Sequence, residues 1–265
     1  MKQYWICSLL VVLALLAPVS HVFAETNVLS YEFEDPDTDL QQKAKDAIIA
    51  SGVVEQITSY VNTNLQLPEP VRILFTDSNV SFPHYDSKTK TVDIPYEFWV
   101  ECNKRFDKEY PGHLVGNVLD ELCGSVLAYT ILRELGVALV DVFNYKTNND
   151  LQTAVTDFAV LTLLDSFQEG RDMALVAGDY YLLEDKELQL AADEVLLGNI
   201  VVNSNRALDT YCMAYGVLPD EDLEKEMLEH YFTKERLDEC VREAEIKVEI
   251  WAGLLRQFGR PEAAY

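Results

Sequence analysis

One long apolar segment, from His113 to Phe143, limits the folds open to this chain more than any other feature. Its apolar residues recur at three- and four-residue spacing, which predicts a helix with a broad buried face: Leu119, Leu122, Val126, Leu132, Leu135, Leu139 and Val142. The longest charge-free run within it, residues 122–132, is well short of the ~20 residues of a membrane span. We therefore expect a core helix. Residues 149–167, "NDLQTAVTDFAVLTLLDSF", predict a second helix packed against it.

The segments before the long helix predict a small sheet. "VRILFTD" (71–77) and "TVDIPYEF" (91–98) are rich in β-formers and flank turn residues in "SFPHYDSKTK", so we predict a strand pair joined by a turn. Residues 40–65 have helical spacing, the acidic stretch 25–38 predicts no regular element, and residues 98–258 are almost wholly helical in pattern. The expected fold class is α+β and predominantly helical. It is one domain, residues 25–265, with a small N-terminal β-sheet and a central long helix.

The first 24 residues carry Lys2, the apolar run "ICSLLVVLALLAPV", and the small residues Val22 and Ala24 before Glu25. This pattern predicts a signal peptide cleaved after Ala24. It disfavours an uncleaved membrane anchor, because the apolar run is shorter than the ~20 residues of a span. We therefore expect a soluble exported protein, periplasmic or secreted. The chain has 45 acidic and 21 basic residues, a net charge of −24, which makes nucleic acid a poor partner.

Four cysteines follow the predicted cleavage site, and an even number in an exported chain favours disulfides over free thiols. We expect Cys212 to pair with Cys240, because each lies near one end of a predicted helix–turn–helix. Cys102 and Cys123 form the remaining predicted pair. Neither pair has Cys-x-x-Cys spacing, so the cysteines predict no structural zinc.

Residues 133–137, Arg-Glu-Leu-Gly-Val, occupy the frame of a zinc-peptidase helix. Such a helix reads H-E-x-x-H, because two imidazoles on one helical face grip the ion while the glutamate between them acts as general base. Arg133 and Val137 stand at the two histidine positions, and only Glu134 remains. The histidines after residue 24 share no helix face at ligand spacing: His84, His113 and His230. The sequence therefore predicts no bound metal.

The order of these motifs resembles a bacterial family described as putative metallopeptidases of unknown function. The resemblance runs from about Leu67 to Leu255 through "PHYDSKTKTVDIPYEF", "ILRELGVALVDVF", "DLQTAVTDFAVLTLL", "NRALDTYCMAYG" and "KERLDEC". Its strongest matches are Tyr85-Asp86, Tyr96-Glu97, Glu134-Leu135-Gly136, Arg206 and the Cys212/Cys240 pair. The resemblance implies a zincin-like fold in which a strand ends at the Tyr-Glu pair. It also implies a zinc cofactor, held by an H-E-x-G-H helix and by an acidic E-D-A-A-D stretch on the next helix.

The departures from that family fall on the expected zinc ligands. Arg133 and Val137 replace the two histidines, and "QTAVT", Gln152 to Thr156, replaces the acidic stretch. The family's other cysteine pair also lacks a member here, because Pro95 stands before the Tyr-Glu pair. We call Arg133, Val137, Gln152 and Thr156 the degenerate metal positions. We expect zinc, the family's cofactor, to be absent.

The remaining residues support two interpretations. In the first the chain is a pseudo-peptidase without enzymatic activity: Glu134 is a vestigial base paired with a basic side chain, and a cleft with Tyr96, Glu97 and Asp157 binds an unknown peptide or protein. Arg133 then pairs with Glu134 or Asp157. In the second the chain is an active hydrolase, with a rearranged metal site or a carboxylate pair around Glu134 and Glu97. The first is favoured, because Glu134 without zinc has no activated water to deprotonate.

Overall fold

The computed structural model of the chain describes residues 28–78, 82–114, 117–146, 150–190 and 197–260. The predicted signal peptide, residues 1–24, lies outside the described residues. Four strands form one sheet in the order β1-β2-β4-β3: β1 Leu29–Phe33, β2 Val71–Thr76, β3 His84–Asp86 and β4 Thr91–Pro95. The described helices are α1 Asp39–Ser51, α2 Val53–Asn64, α3 Tyr96–Glu109, α4 Val118–Val142, α5 Leu151–Ser166, α6 Gly170–Leu190, α7 Leu197–Val217, α8 Glu221–His230 and α9 Lys234–Phe258. The predicted α+β, mostly helical fold class is confirmed.

The sheet differs from the predicted strand pair. Strands β2 and β4 run parallel, with Ile73 opposite Val92, and β1 lies parallel on the other side of β2. The hairpin partner of β4 is the short strand β3, which pairs with it antiparallel within the segment predicted to be only a turn. Both faces of β4 are largely buried, as in parallel sheets covered by helices. The prediction of no regular element in residues 25–38 is wrong, because β1 lies among them. Its apolar residues Leu29, Tyr31 and Phe33 alternate with Ser30 and Glu32, but the run is short, lies in an acidic stretch and leaves most of its side chains exposed.

Helix boundaries also differ from the sequence patterns at two places. The predicted helix 40–65 is two helices, because Gly52 has a left-handed backbone with φ of 69° between α1 and α2, a conformation that glycine adopts without strain. The long helix begins at Val118 instead of His113. Gly112 is also left-handed, with φ of 72°, and the chain turns there before α4 starts.

Helix α4 is the centre of the fold, as the apolar spacing predicted. It packs against the sheet through β3 and β4, and against α1, α2, α3, α5 and α6. Among the described helices, α4 alone has the length and mean hydropathy of a membrane span, and 72% of its apolar stretch is buried inside the protein. That degree of burial is typical of the core helix of a folded domain.

The four cysteines within the described residues divide into one disulfide and two thiols. Cys212 on α7 is bonded to Cys240 on α9, as predicted. The second predicted disulfide is absent: Cys102 and Cys123 are free and buried. They interact by a thiol hydrogen bond across the α3–α4 contact, and burial raises the pKa of Cys102 well above its ordinary value. A protonated thiol is a poor nucleophile, and the two side chains meet here without a covalent bond.

Candidate functional site

The four positions predicted from the sequence to correspond to zinc ligands lie on α4 and α5, which pack side by side. Arg133 is 4% exposed, and its Nη2 donates a hydrogen bond to Oε1 of Gln152 at 2.6 Å. Thr156 is buried one turn further along α5, and Val137 is half-buried one turn along α4. The structure therefore joins Arg133 and Gln152, two of the four degenerate metal positions, by a direct side-chain contact.

No ion pair compensates the charge of Arg133 among the described residues. Its Nε is buried and has no hydrogen-bond partner there. Asp157, one of its two predicted partners, is instead bonded to Lys247 of α9 at 2.7 Å. The other, Glu134, lies beside Arg133 and feels its charge without forming an ion pair within 4.0 Å. A charged guanidinium with a single amide acceptor is an expensive group to bury.

Glu134, the remaining residue of the peptidase motif, is half-buried on α4. Burial raises the pKa of its carboxyl, and the charges of Arg133 and Arg206 oppose that rise. The backbone N–H of Tyr85 in β3 also donates to this carboxyl. Tyr85 makes a second contact between β3 and α4, in which its hydroxyl donates a hydrogen bond to Asp141 Oδ2 at 2.7 Å. Glu134 therefore contacts the backbone of β3, an edge strand of the sheet.

Around Arg133 the structure assembles a polar cluster, which we define as Tyr129, Arg133, Gln152, Thr156, Tyr181, Arg206 and Thr210. Most of its members are buried, but Arg206 is half-buried and Gln152 is exposed. Tyr129 and Thr210 share a hydrogen bond of 2.6 Å between their hydroxyls. The Arg206 guanidinium lies 4.5 Å from the centroid of the Tyr181 ring, a cation–π contact. Burial raises the pKa of Tyr129, and the charge of Arg133 opposes that rise.

Sequence reasoning found only part of this polar cluster. Tyr129 lies one turn before Arg133 on the same face of α4, so helical spacing would have identified it. Tyr181 and Thr210 belong to α6 and α7, and nothing in their local sequence links them to α4. Both contacts depend on how the helices pack.

Tyr96 and Glu97, predicted to line a cleft with Asp157, begin α3 directly after β4 ends at Pro95. Tyr96 is fully buried, and its hydroxyl donates to the backbone oxygen of Glu34 at 2.7 Å. Glu97 pairs at the surface with Lys104 at 3.4 Å. Neither residue belongs to the polar cluster, and Asp157 faces a cavity that neither of them lines.

The residues present do not fit zinc, the metal that the family implies. Zinc in proteins is bound by Cys, His and carboxylate groups, whereas the degenerate positions carry a guanidinium, an amide, a hydroxyl and an isopropyl group. Across residues 28–260, leaving out the gaps in the described ranges, no group of three His, Cys, Asp or Glu residues could hold a metal ion. His84, His113 and His230 lie in β3, in the turn before α4 and at the end of α8.

Comparison with known proteins gives one match. No curated protein and no solved structure matches the chain. A sequence model of one protein family matches residues 33–255, which is most of the chain and includes β2, β3, β4, α4, α5 and the disulfide. That family is described as "Putative metallopeptidase", and this chain belongs to it.

Proposed function

We propose that this chain is an exported, catalytically inactive member of the metallopeptidase-like family, and that it binds a peptide or protein partner. The hydrogen bond between Arg133 and Gln152 carries the proposal. A fixed positive charge occupies the place where the family pattern expects a dication, and the third-ligand position supplies an amide. A guanidinium repels a metal cation and offers no lone pair to it.

The contacts of Glu134 support the same proposal. A general base of a zinc peptidase must reach a metal-activated water. Here the carboxyl of Glu134 accepts the Tyr85 backbone N–H and lies near two guanidinium groups. These contacts support a structural role for Glu134, because they link α4 to β3.

The outer edge of β1 beyond Leu29 supports the binding part of the proposal; at Leu29 itself the backbone N–H and carbonyl are already hydrogen-bonded to the Asn62 side chain. Strand β1 pairs only with β2 within the described sheet, and its residues Ser30, Tyr31 and Glu32 are exposed. An extended peptide can add to such an edge through backbone hydrogen bonds. This mode of recognition needs no metal.

The test of inactivity is metal content together with hydrolysis. Protein purified without added metal should carry far less than one zinc per chain by elemental analysis, and should not cleave casein with or without added zinc. The double variant Arg133→His with Val137→His is the matched control, because it restores two ligands and tests whether the helix still faces a usable site. Near-stoichiometric zinc in the parent protein, with chelator-sensitive cleavage, would instead establish the active hydrolase.

The test of binding is selection of a random peptide library on the immobilised protein. Selected peptides should lose binding to the Tyr31→Lys variant, because a lysine on an edge strand opposes strand addition. The variant should unfold within ~0.5 kcal/mol of the parent, as expected of an exposed position. Peptides that bind both proteins equally would contradict recognition at β1.

A further inference from the structure

A partly open cavity of about 140 Å³ lies between α4, α5 and α9. It is separate from the polar cluster and from the β1 edge. Most of its wall is apolar, with Leu139, Phe143, Phe158, Leu161, Trp251 and Phe258 among its lining residues. The rings of Phe158 and Trp251 meet edge to face with centroids 4.8 Å apart. For comparison, a dry apolar cavity of about 150 Å³ accommodates benzene, so the volume suits an apolar ring or about six carbons of a chain, and a longer chain would extend through the open side.

The charged part of this wall is the ion pair of Asp157 and Lys247. The two side chains are 11% and 19% exposed. An ammonium group has three N–H donors, and the residues that the structure describes give Lys247 a single acceptor, Asp157 Oδ1. A mostly buried cation at the edge of an apolar cavity therefore has donors left for a ligand oxygen.

We propose that this cavity binds a single-chain aliphatic carboxylate, with the chain between α4, α5 and α9 and the carboxylate on Lys247. An alkylammonium ligand is disfavoured because its charge would face Lys247 directly. An uncharged alkane or alcohol would leave the ion pair as it stands and gain no charge-assisted hydrogen bond. The proposal does not depend on the chain being an inactive peptidase.

Binding of the ligand carboxylate should be coupled to protonation of Asp157. Asp157 on α5 faces Lys247 and Glu243 of α9 and Asp209 of α7. Glu243 is itself held by Arg236, with two hydrogen bonds of 2.8 and 3.1 Å. Burial raises the pKa of Asp157 to about 6, against the attraction of Lys247. A ligand carboxylate that takes Lys247 favours the neutral form of Asp157, whose O–H can then donate to the ligand. Binding should therefore take up a proton and strengthen as the pH falls from 7.5 to 5.5.

The experiment is calorimetric titration of the purified protein with decanoate, hexanoate, decan-1-ol and decylammonium, each kept below its aggregation concentration. Decanoate should bind most tightly, and each CH₂ between hexanoate and decanoate should improve the affinity about threefold to fourfold if fully buried. Decan-1-ol should bind about tenfold more weakly or worse, the usual effect of losing a charge-assisted hydrogen bond. Equal affinity for decanoate and decan-1-ol, or tighter binding of decylammonium, would overturn the proposal.

Two variants separate the proposal from nonspecific binding. Lys247→Gln should weaken decanoate about tenfold, whereas Lys234→Gln, at the surface end of the same helix and paired with Glu224 and Asp238, should not. Asp157→Asn removes the ion pair with Lys247 and keeps the volume of the side chain in the cavity wall. This variant should therefore bind decanoate more tightly than the parent at pH 7.5, and its affinity should not depend on the protonation of residue 157. This gain of affinity tests the proposal even if Lys247→Gln does not fold. Weaker binding by Asp157→Asn would refute the assigned roles.

Discussion

The buried carboxyl of Asp157 makes a quantitative prediction about stability and pH. Its pKa is raised from the ordinary 3.8 to about 6, mainly by burial, although Lys247 lies 2.7 Å away. The folded state therefore holds this proton more tightly than the unfolded state. The stability that the neutral carboxyl contributes is full below about pH 3.8 and is lost as the pH rises through about 6.

The displacement of this pKa corresponds to about 3 kcal/mol of unfolding free energy. We expect the Asp157→Asn variant, which cannot titrate, to avoid that loss. Its stability relative to the parent should therefore rise by about 2.4 kcal/mol between pH 4 and pH 7, the rest of the change lying below pH 4. The side chain is only 11% exposed, so solvent screening should reduce this figure little.

The assay is urea unfolding of both proteins at several pH values, followed by circular dichroism, with the difference in unfolding free energy plotted against pH. Asp141→Asn is a control of opposite sign, because hydrogen bonds from Lys90 and Tyr85 lower the pKa of Asp141. The parent should gain stability over that variant as the pH rises through the lowered pKa. A difference between Asp157→Asn and the parent that is flat, or that falls with pH, would refute the reasoning.

Variants at Arg133, Gly136 and Cys240 test the packing and the covalent link. Arg133→Met should unfold within ~1.5 kcal/mol of the parent or be more stable, because it removes a buried charge at similar volume. Arg133→Ala should lose ~2–4 kcal/mol to the cavity it leaves; equal losses in the two variants would show that the volume of this side chain matters little. Gly136→Ala should lower the free energy of unfolding by about 1 kcal/mol, because its Cβ would lie 3.0 Å from a Phe158 carbon and overpacking outweighs the gain in helix propensity. Gly253→Ala, whose Cβ would have its nearest contact at 3.9 Å, should be neutral or stabilising. Peptide mapping without reduction should recover Cys212 linked to Cys240, and Cys240→Ser should lower stability by ~3–4 kcal/mol through the freed loop; unlinked fragments would contradict the bond.

The sequence by itself determined the local elements of this protein. The apolar spacing between His113 and Phe143 was enough for a long central helix, and the pattern after Asn149 was enough for α5, because helical period is set by residues three and four apart. The order of motifs was also enough for the family, and the predicted disulfide between Cys212 and Cys240 is present. These elements follow from local sequence patterns, without knowledge of the surfaces against which they pack.

Only the tertiary structure decided how those elements meet. Strands β2 and β4 have similar patterns whether they form a hairpin or lie parallel, and the choice depends on the helices that cover both faces. Asp157 and Lys247 are 90 residues apart, so their pairing, and the raised pKa of Asp157, follow from the packing of α5 against α9 and its exclusion of water. Arg133 could be assigned to a former metal position from its motif, but its partner, Gln152, depends on the register between two packed helices, which no local pattern encodes.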